Sequence, residues 1–136
     1  MQYISSVAVE LVAVLAVLQF LAFGALTGNE RKKSGLKAPA ITGDVGFERM
    51  YRVQMNTLEL LVAFLPALFL ASQYGPTWLV AGLGVVYLVG RLMYWRAYIS
   101  DPLKRGTGFM LSMLPTGFLA IMALVGIVLS LTGFKG

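Results

Sequence analysis

Three stretches of the chain, residues 11–29, 60–90 and 106–134, contain no Asp, Glu, Lys or Arg. A helix needs about 20 predominantly apolar residues to cross the hydrocarbon core of a bilayer. The middle stretch is too long for one crossing and breaks at Gln73-Tyr74-Gly75-Pro76, where Pro76 cannot continue a helix from the preceding turn. The pattern predicts four helices, over about 3–27, 48–73, 77–99 and 107–132. Strands are disfavoured because the runs are long, rich in leucine and alanine, and do not alternate. The composition agrees: 58% of the 136 residues are hydrophobic and 12% charged, against about 45–50% and about 25% in soluble domains. Four spans with short connections fill the length, so one domain over 1–136 is expected. The predicted fold is an all-α membrane protein, a left-handed four-helix transmembrane bundle. Residues 1–26 superficially resemble a signal peptide, but no Lys or Arg precedes the apolar run and Glu10 lies within it. The segment is read as a span.

The sequence has no histidine and no cysteine. Zinc sites with the usual ligands, axial histidine haem ligation, Ser-His triads, thiol nucleophiles and disulfides are thereby excluded, and no metal is expected. The formal net charge is +5. In a soluble protein that balance would suggest nucleic acid. Here the basic residues fall between apolar runs, so they report topology and no nucleic-acid partner is expected. The first connection carries Arg31, Lys32, Lys33 and Lys37, and the third carries Arg96, Lys104 and Arg105. The second carries none, and the C-terminus has Lys135. Positive charge accumulates on the cytoplasmic side. The expectation is a multi-pass protein of a bacterial inner membrane, with connections one and three in the cytoplasm and both termini outside.

Ionisable residues inside a span are costly and usually face a bundle interior or a wet cavity. On the second helix Arg49, Arg52, Asn56 and Glu59 are spaced three, four and three apart, which places them within roughly 80° of arc. On the third, Tyr87, Arg91, Tyr94 and Tyr98 are spaced four, three and four, within roughly 60°. The third helix runs back toward the cytoplasm, so Arg91 is expected at a depth similar to Glu59. Snorkelling arginines, a structural Glu59–Arg91 pair and an interfacial tyrosine belt would explain these residues singly. Two stripes at matched depth point instead to a shared polar site. Guanidinium forks select carboxylates or phosphates, and Glu59 suits an ammonium group. A small zwitterion with excess negative charge satisfies both.

The segment Gly46-Phe47-Glu48-Arg49-Met50-Tyr51-Arg52-Val53-Gln54-Met55-Asn56-Thr57-Leu58-Glu59 closely resembles the signature of the MAPEG family, the membrane-associated proteins in eicosanoid and glutathione metabolism. A second block, Arg91-Leu92-Met93-Tyr94 with Tyr98 and Lys104-Arg105-Gly106, resembles that family's third helix and following turn. The family commonly has Asn-Cys where this chain has Asn56-Thr57, and Ala in place of Val53. The resemblance implies a homotrimer with glutathione as co-substrate, bound at each subunit interface. It implies that Arg52, Asn56, Glu59, Tyr94 and Tyr98 bind glutathione, with Glu59 on the ammonium. Arg49 and Gln54 match more loosely as carboxylate contacts, and Arg31 also aligns with a binding arginine. Arg91 joins this set through its stripe. Arg105 matches the arginine that stabilises the glutathione thiolate, and is the expected catalytic residue.

The expected function is therefore a glutathione transferase acting on a lipophilic electrophile drawn from membrane lipid, or reducing a lipid hydroperoxide. Two other classes fit parts of the sequence. A non-enzymatic, substrate-presenting scaffold would share the family's architecture. A small proton-coupled exporter would use Glu10 as its ion site, although the arginine stripes would repel cationic cargo.

Overall fold

The computed structural model describes residues 2–133, with side chains from Ser6 onward. Lys135, counted among the topology charges, lies outside the described residues. Four long helices account for nearly all of the described chain: α1 (Gln2–Ser34), α2 (Val45–Tyr74), α3 (Thr77–Ser100) and α4 (Gly106–Leu131). A 3₁₀ turn, Pro102–Lys104, links α3 to α4, and there is no strand among the described residues. Each of the four contains a window long and apolar enough to cross a membrane.

The ends follow local chemistry more than hydropathy. α1 runs past residue 27 to Ser34 because Glu30, Arg31, Lys32 and Lys33 are good helix formers. Its terminal cations also complement the negative end of the helix dipole, and Lys33 pairs with Glu30 at 3.6 Å. α2 begins at Val45 because Asp44 caps it, accepting from the Phe47 amide at 2.9 Å, which satisfies one orphan N–H. At the far end the Gly75 amide closes α2 on the Ala71 carbonyl, and Pro76 stands immediately before α3. Pro66 and Pro115 both lie inside continuous helices.

α2 and α3 form the central pair, with α1 packed against both on one side and α4 against both on the other. The core centres on Phe64 and Tyr87, whose rings stack with centroids 3.8 Å apart. α3 and α4 meet backbone to backbone at Gly90 and Gly108: a Cβ on Gly90 would lie 2.7 Å from the Leu111 carbonyl carbon, and one on Gly108 would strike the Tyr94 backbone. Such contacts drive helix association in lipid, where apolar burial no longer favours it. Leu11, Leu18 and Leu21 on α1, and Leu114, Ile121 and Leu124 on α4, face outward. In water that surface would be an aggregation hazard; against acyl chains it is in its own solvent.

Candidate functional site

At the end of the bundle that carries the α1–α2 and α3–α4 connections, the polar stripes of α2 and α3 open into one cavity of about 400 Å³. Its volume falls within the usual range for small-molecule sites. α2 supplies Arg52, Asn56 and Glu59, and α3 supplies Tyr94 and Tyr98. Arg105, at the head of α4, and Phe109, one turn later, complete the lining. The aromatic wall is continuous: Tyr94 lies 5.5 Å from Tyr98 and 6.4 Å from Phe109 between ring centroids. Arg105 curls back so that its Nη1 donates to the Pro102 carbonyl at 2.7 Å, which ties the guanidinium to the 3₁₀ turn. Two guanidiniums and one carboxylate thus line the same cavity. The one ion pair among the described residues is Lys33–Glu30, so neither arginine is neutralised by Glu59.

Arg91 is not in the cavity. It is fully buried, tying α2, α3 and α4 together below the cavity. Its Nε donates to Ser112 Oγ at 3.0 Å, and its Nη1 donates to Asn56 Oδ1 at 2.8 Å and to Thr57 Oγ1 at 3.3 Å. Its Cζ lies 4.3 Å from the Tyr94 ring centroid, a cation–π contact. No Glu59–Arg91 pair forms. Arg91 instead meets the turn of α2 just before Glu59. The supporting Ser112 carries no sequence signal of its own, being a small polar residue in an apolar run, and Thr57 stands out only as a position where the family commonly has cysteine. Phe109 was similarly hidden, and only its spacing of four from Arg105 connects it to the site.

Three further candidates also lie away from this cavity. Arg49, at the edge of the α2 stripe, donates to the Ile99 and Ser100 carbonyls at the end of α3, at 3.0 and 3.2 Å. It lines a separate cleft with Glu30 and Trp95. Arg31 donates to the Ala40 carbonyl at 2.8 Å and lies over the Phe47 ring, clamping the α1–α2 connection. Gln54 points toward Gly24 of α1, on the opposite face of α2 from the stripe, as five residues after Arg49 at about 100° each requires. Beside the polar cavity, and sharing Asn56, Glu59 and Phe109 with it, runs an apolar groove of about 450 Å³ between α2 and α4, reaching Ala63, Gly117 and Ala120. Among the described residues no His/Cys/Asp/Glu cluster could hold a metal.

The MAPEG family model matches residues 9–125. An uncharacterized protein of Synechocystis is 41% identical over 117 residues, 86% of this chain and 85% of that protein. Microsomal glutathione S-transferase 2 of Homo sapiens is 35% identical over 122 residues, 90% of this chain and 81% of that protein. Leukotriene C4 synthase of Bos taurus is 33% identical over 94 residues, 69% of this chain and 63% of that protein. Four membrane-length helices, a polar cavity at one end of the bundle and a family match over most of its length make this chain a member of the MAPEG family.

Proposed function

We infer that the protein is a membrane glutathione transferase that ionises the glutathione thiol and presents it to a lipophilic electrophile. The observation that carries this reading is the joining of two unlike compartments: the arginine- and tyrosine-lined cavity and the apolar α2–α4 groove share Asn56, Glu59 and Phe109. A charged peptide thiol and an apolar acceptor could meet at that junction. Glutathione offers two carboxylates for the guanidiniums and one ammonium for Glu59. A relative bearing the name glutathione S-transferase supports the same co-substrate.

In this reading Arg105 lies beside the sulfur. A free thiol of pKa about 8.5 is only a few per cent ionised at pH 7, and an adjacent guanidinium favours the anion. Lowering the pKa by about two units takes roughly 2.7 kcal/mol and makes most of the bound thiol reactive. The proton leaves to solvent and the thiolate forms the S–C bond. The electrophile's leaving group, or its π bond, takes the displaced electron pair. With a lipid hydroperoxide, two glutathiones are oxidised to the disulfide while the hydroperoxide becomes an alcohol and water.

The working unit is proposed to be a homotrimer in a bacterial inner membrane, with the site at the cytoplasmic face and both termini outside. Arg31 and Gln54 lie away from their own chain's cavity, and a neighbouring subunit is the way they could reach a glutathione. The test is direct. Purified protein with glutathione and a soluble aryl halide is expected to form the thioether, with loss of glutathione matching product. Glutathione binding without consumption, across several electrophile classes and a lipid hydroperoxide, would instead favour the substrate-presenting scaffold.

A further inference from the structure

Arg91 is fully buried; its Nε and Nη1 are hydrogen-bonded, while its Nη2 has no partner among the described residues. Thr57 spends its hydroxyl proton on the Val53 carbonyl at 2.8 Å, and Ser112 spends its own on the Gly108 carbonyl at 2.7 Å. Both hydroxyls can therefore offer Arg91 only lone pairs, which is what a guanidinium, a donor without acceptors, requires. The third neighbour, Asn56, has two faces. An amide turned the other way would set donor against donor and lose the shortest of the Arg91 side-chain hydrogen bonds, leaving Nη1 only the longer one to Thr57. Arg91 Nη1 therefore holds Oδ1 inward at 2.8 Å, which leaves the Asn56 Nδ2 on the other side of the amide, free for the open space that Asn56 lines where the cavity meets the groove.

We propose that Arg91 is a positioning residue that locks the Asn56 side chain with its amide nitrogen toward the cavity, so that the site presents a donor to an acceptor oxygen of its ligand. Arg52 stands one helical turn before Asn56 on the same face, and one carboxylate can take a guanidinium and an amide donor at that spacing. Arg91 itself touches no ligand. This role rests on the glutathione reading for the ligand's identity, but the orientation of Asn56 does not.

The experiment measures glutathione affinity by calorimetry for wild type, Asn56→Ala, Arg91→Met, Arg91→Lys and the Asn56→Ala/Arg91→Met double variant, with assembly and helical content checked for each. Asn56→Ala and Arg91→Met are each expected to weaken binding about tenfold. The double variant is expected to bind no more weakly than Asn56→Ala alone, because both changes remove one donor. Arg91→Lys keeps a donor for Oδ1 and is expected to restore most of the affinity. Asn56→Asp, which turns the donor into an acceptor, is expected to bind more weakly than Asn56→Ala. Additive losses, or an Arg91→Met variant that binds like wild type, would overturn the role.

A second readout needs no glutathione. Asn29 and Asn56 are the chain's two asparagines, so ¹⁵N-asparagine labelling isolates the Asn56 side-chain amide by NMR. Wild type is expected to show one set of Asn56 amide signals, and Arg91→Met, or Arg91→Ala if that variant does not assemble, is expected to shift or double them. Unchanged signals would contradict the proposal. If wild type binds no glutathione, the transferase reading fails and the amide spectrum alone decides the role of Arg91.

Discussion

Arg105 and Glu59 divide the proposed chemistry between sulfur and ammonium, and each makes a separable prediction. Arg105 is exposed at the head of α4 and anchored through Pro102, so Arg105→Ala is expected to spare the fold. If its guanidinium lowers the bound thiol from about 8.5 to about 6.5, removing it cuts the thiolate fraction about 25-fold at pH 7. The sign follows from the lowered pKa. The deficit is greatest near neutrality and closes as pH rises above about 9, where the unassisted thiol also ionises. A pH–rate profile for the two proteins checks this; a deficit constant across pH would mean that Arg105 acts in another way. Glu59→Gln is expected to weaken glutathione binding about tenfold. An analogue lacking the amino group should lose little, which competition binding reads. At this scale the residues legible in the sequence were those whose stripe faces the cavity: Arg52, Asn56, Glu59, Tyr94 and Tyr98. Periodicity gives a side chain's direction but not its depth. Arg91 shares its stripe with Tyr94 and Tyr98 yet lies buried beneath the site, where it organises residues it was expected to join.

At the scale of elements, the α3–α4 crossing sets the width of the site, because Tyr94 and Tyr98 come from one helix and Arg105 and Phe109 from the head and first turns of the other. Gly108 allows the approach, since a Cβ there would collide with the Tyr94 backbone. Gly108→Ala is expected to cost about 1–3 kcal/mol of stability, the usual penalty for overpacking, and to disturb glutathione binding by moving Tyr94. Gly82→Ala is the control, because nothing lies within 4 Å of its Cβ position; its thermal unfolding is expected to match wild type or rise slightly. Comparable losses in both variants would mean that the crossing is not close-packed. The four helices and the break at Gly75-Pro76 were readable because charge-free length and a proline are strong signals. The ends were less so. Hydropathy stops at the first charges, whereas α1 runs on through a cationic last turn and α2 starts at an aspartate cap.

For the molecule as a whole, family and membrane class were legible because the motif between Gly46 and Glu59 is contiguous, and the family match covers residues 9–125. What a single chain leaves apart are the candidates not on its own cavity, Arg31 and Gln54 above all. The trimer proposal has a sharp consequence. Subunits carrying Arg31→Ala and subunits carrying Arg105→Ala, each impaired alone at neutral pH, are expected to regain activity when co-assembled, because some interfaces then hold both arginines. No recovery in verified mixed assemblies would place each site within one chain. The central claim, an ionised glutathione thiol held by Arg105, is tested most directly by the ultraviolet thiolate absorbance that appears when glutathione is added at neutral pH to the detergent-purified protein. The prediction is a saturable signal in wild type that disappears in Arg105→Ala while glutathione still binds. An equal signal in the variant, or bound glutathione with no thiolate in wild type, would contradict it.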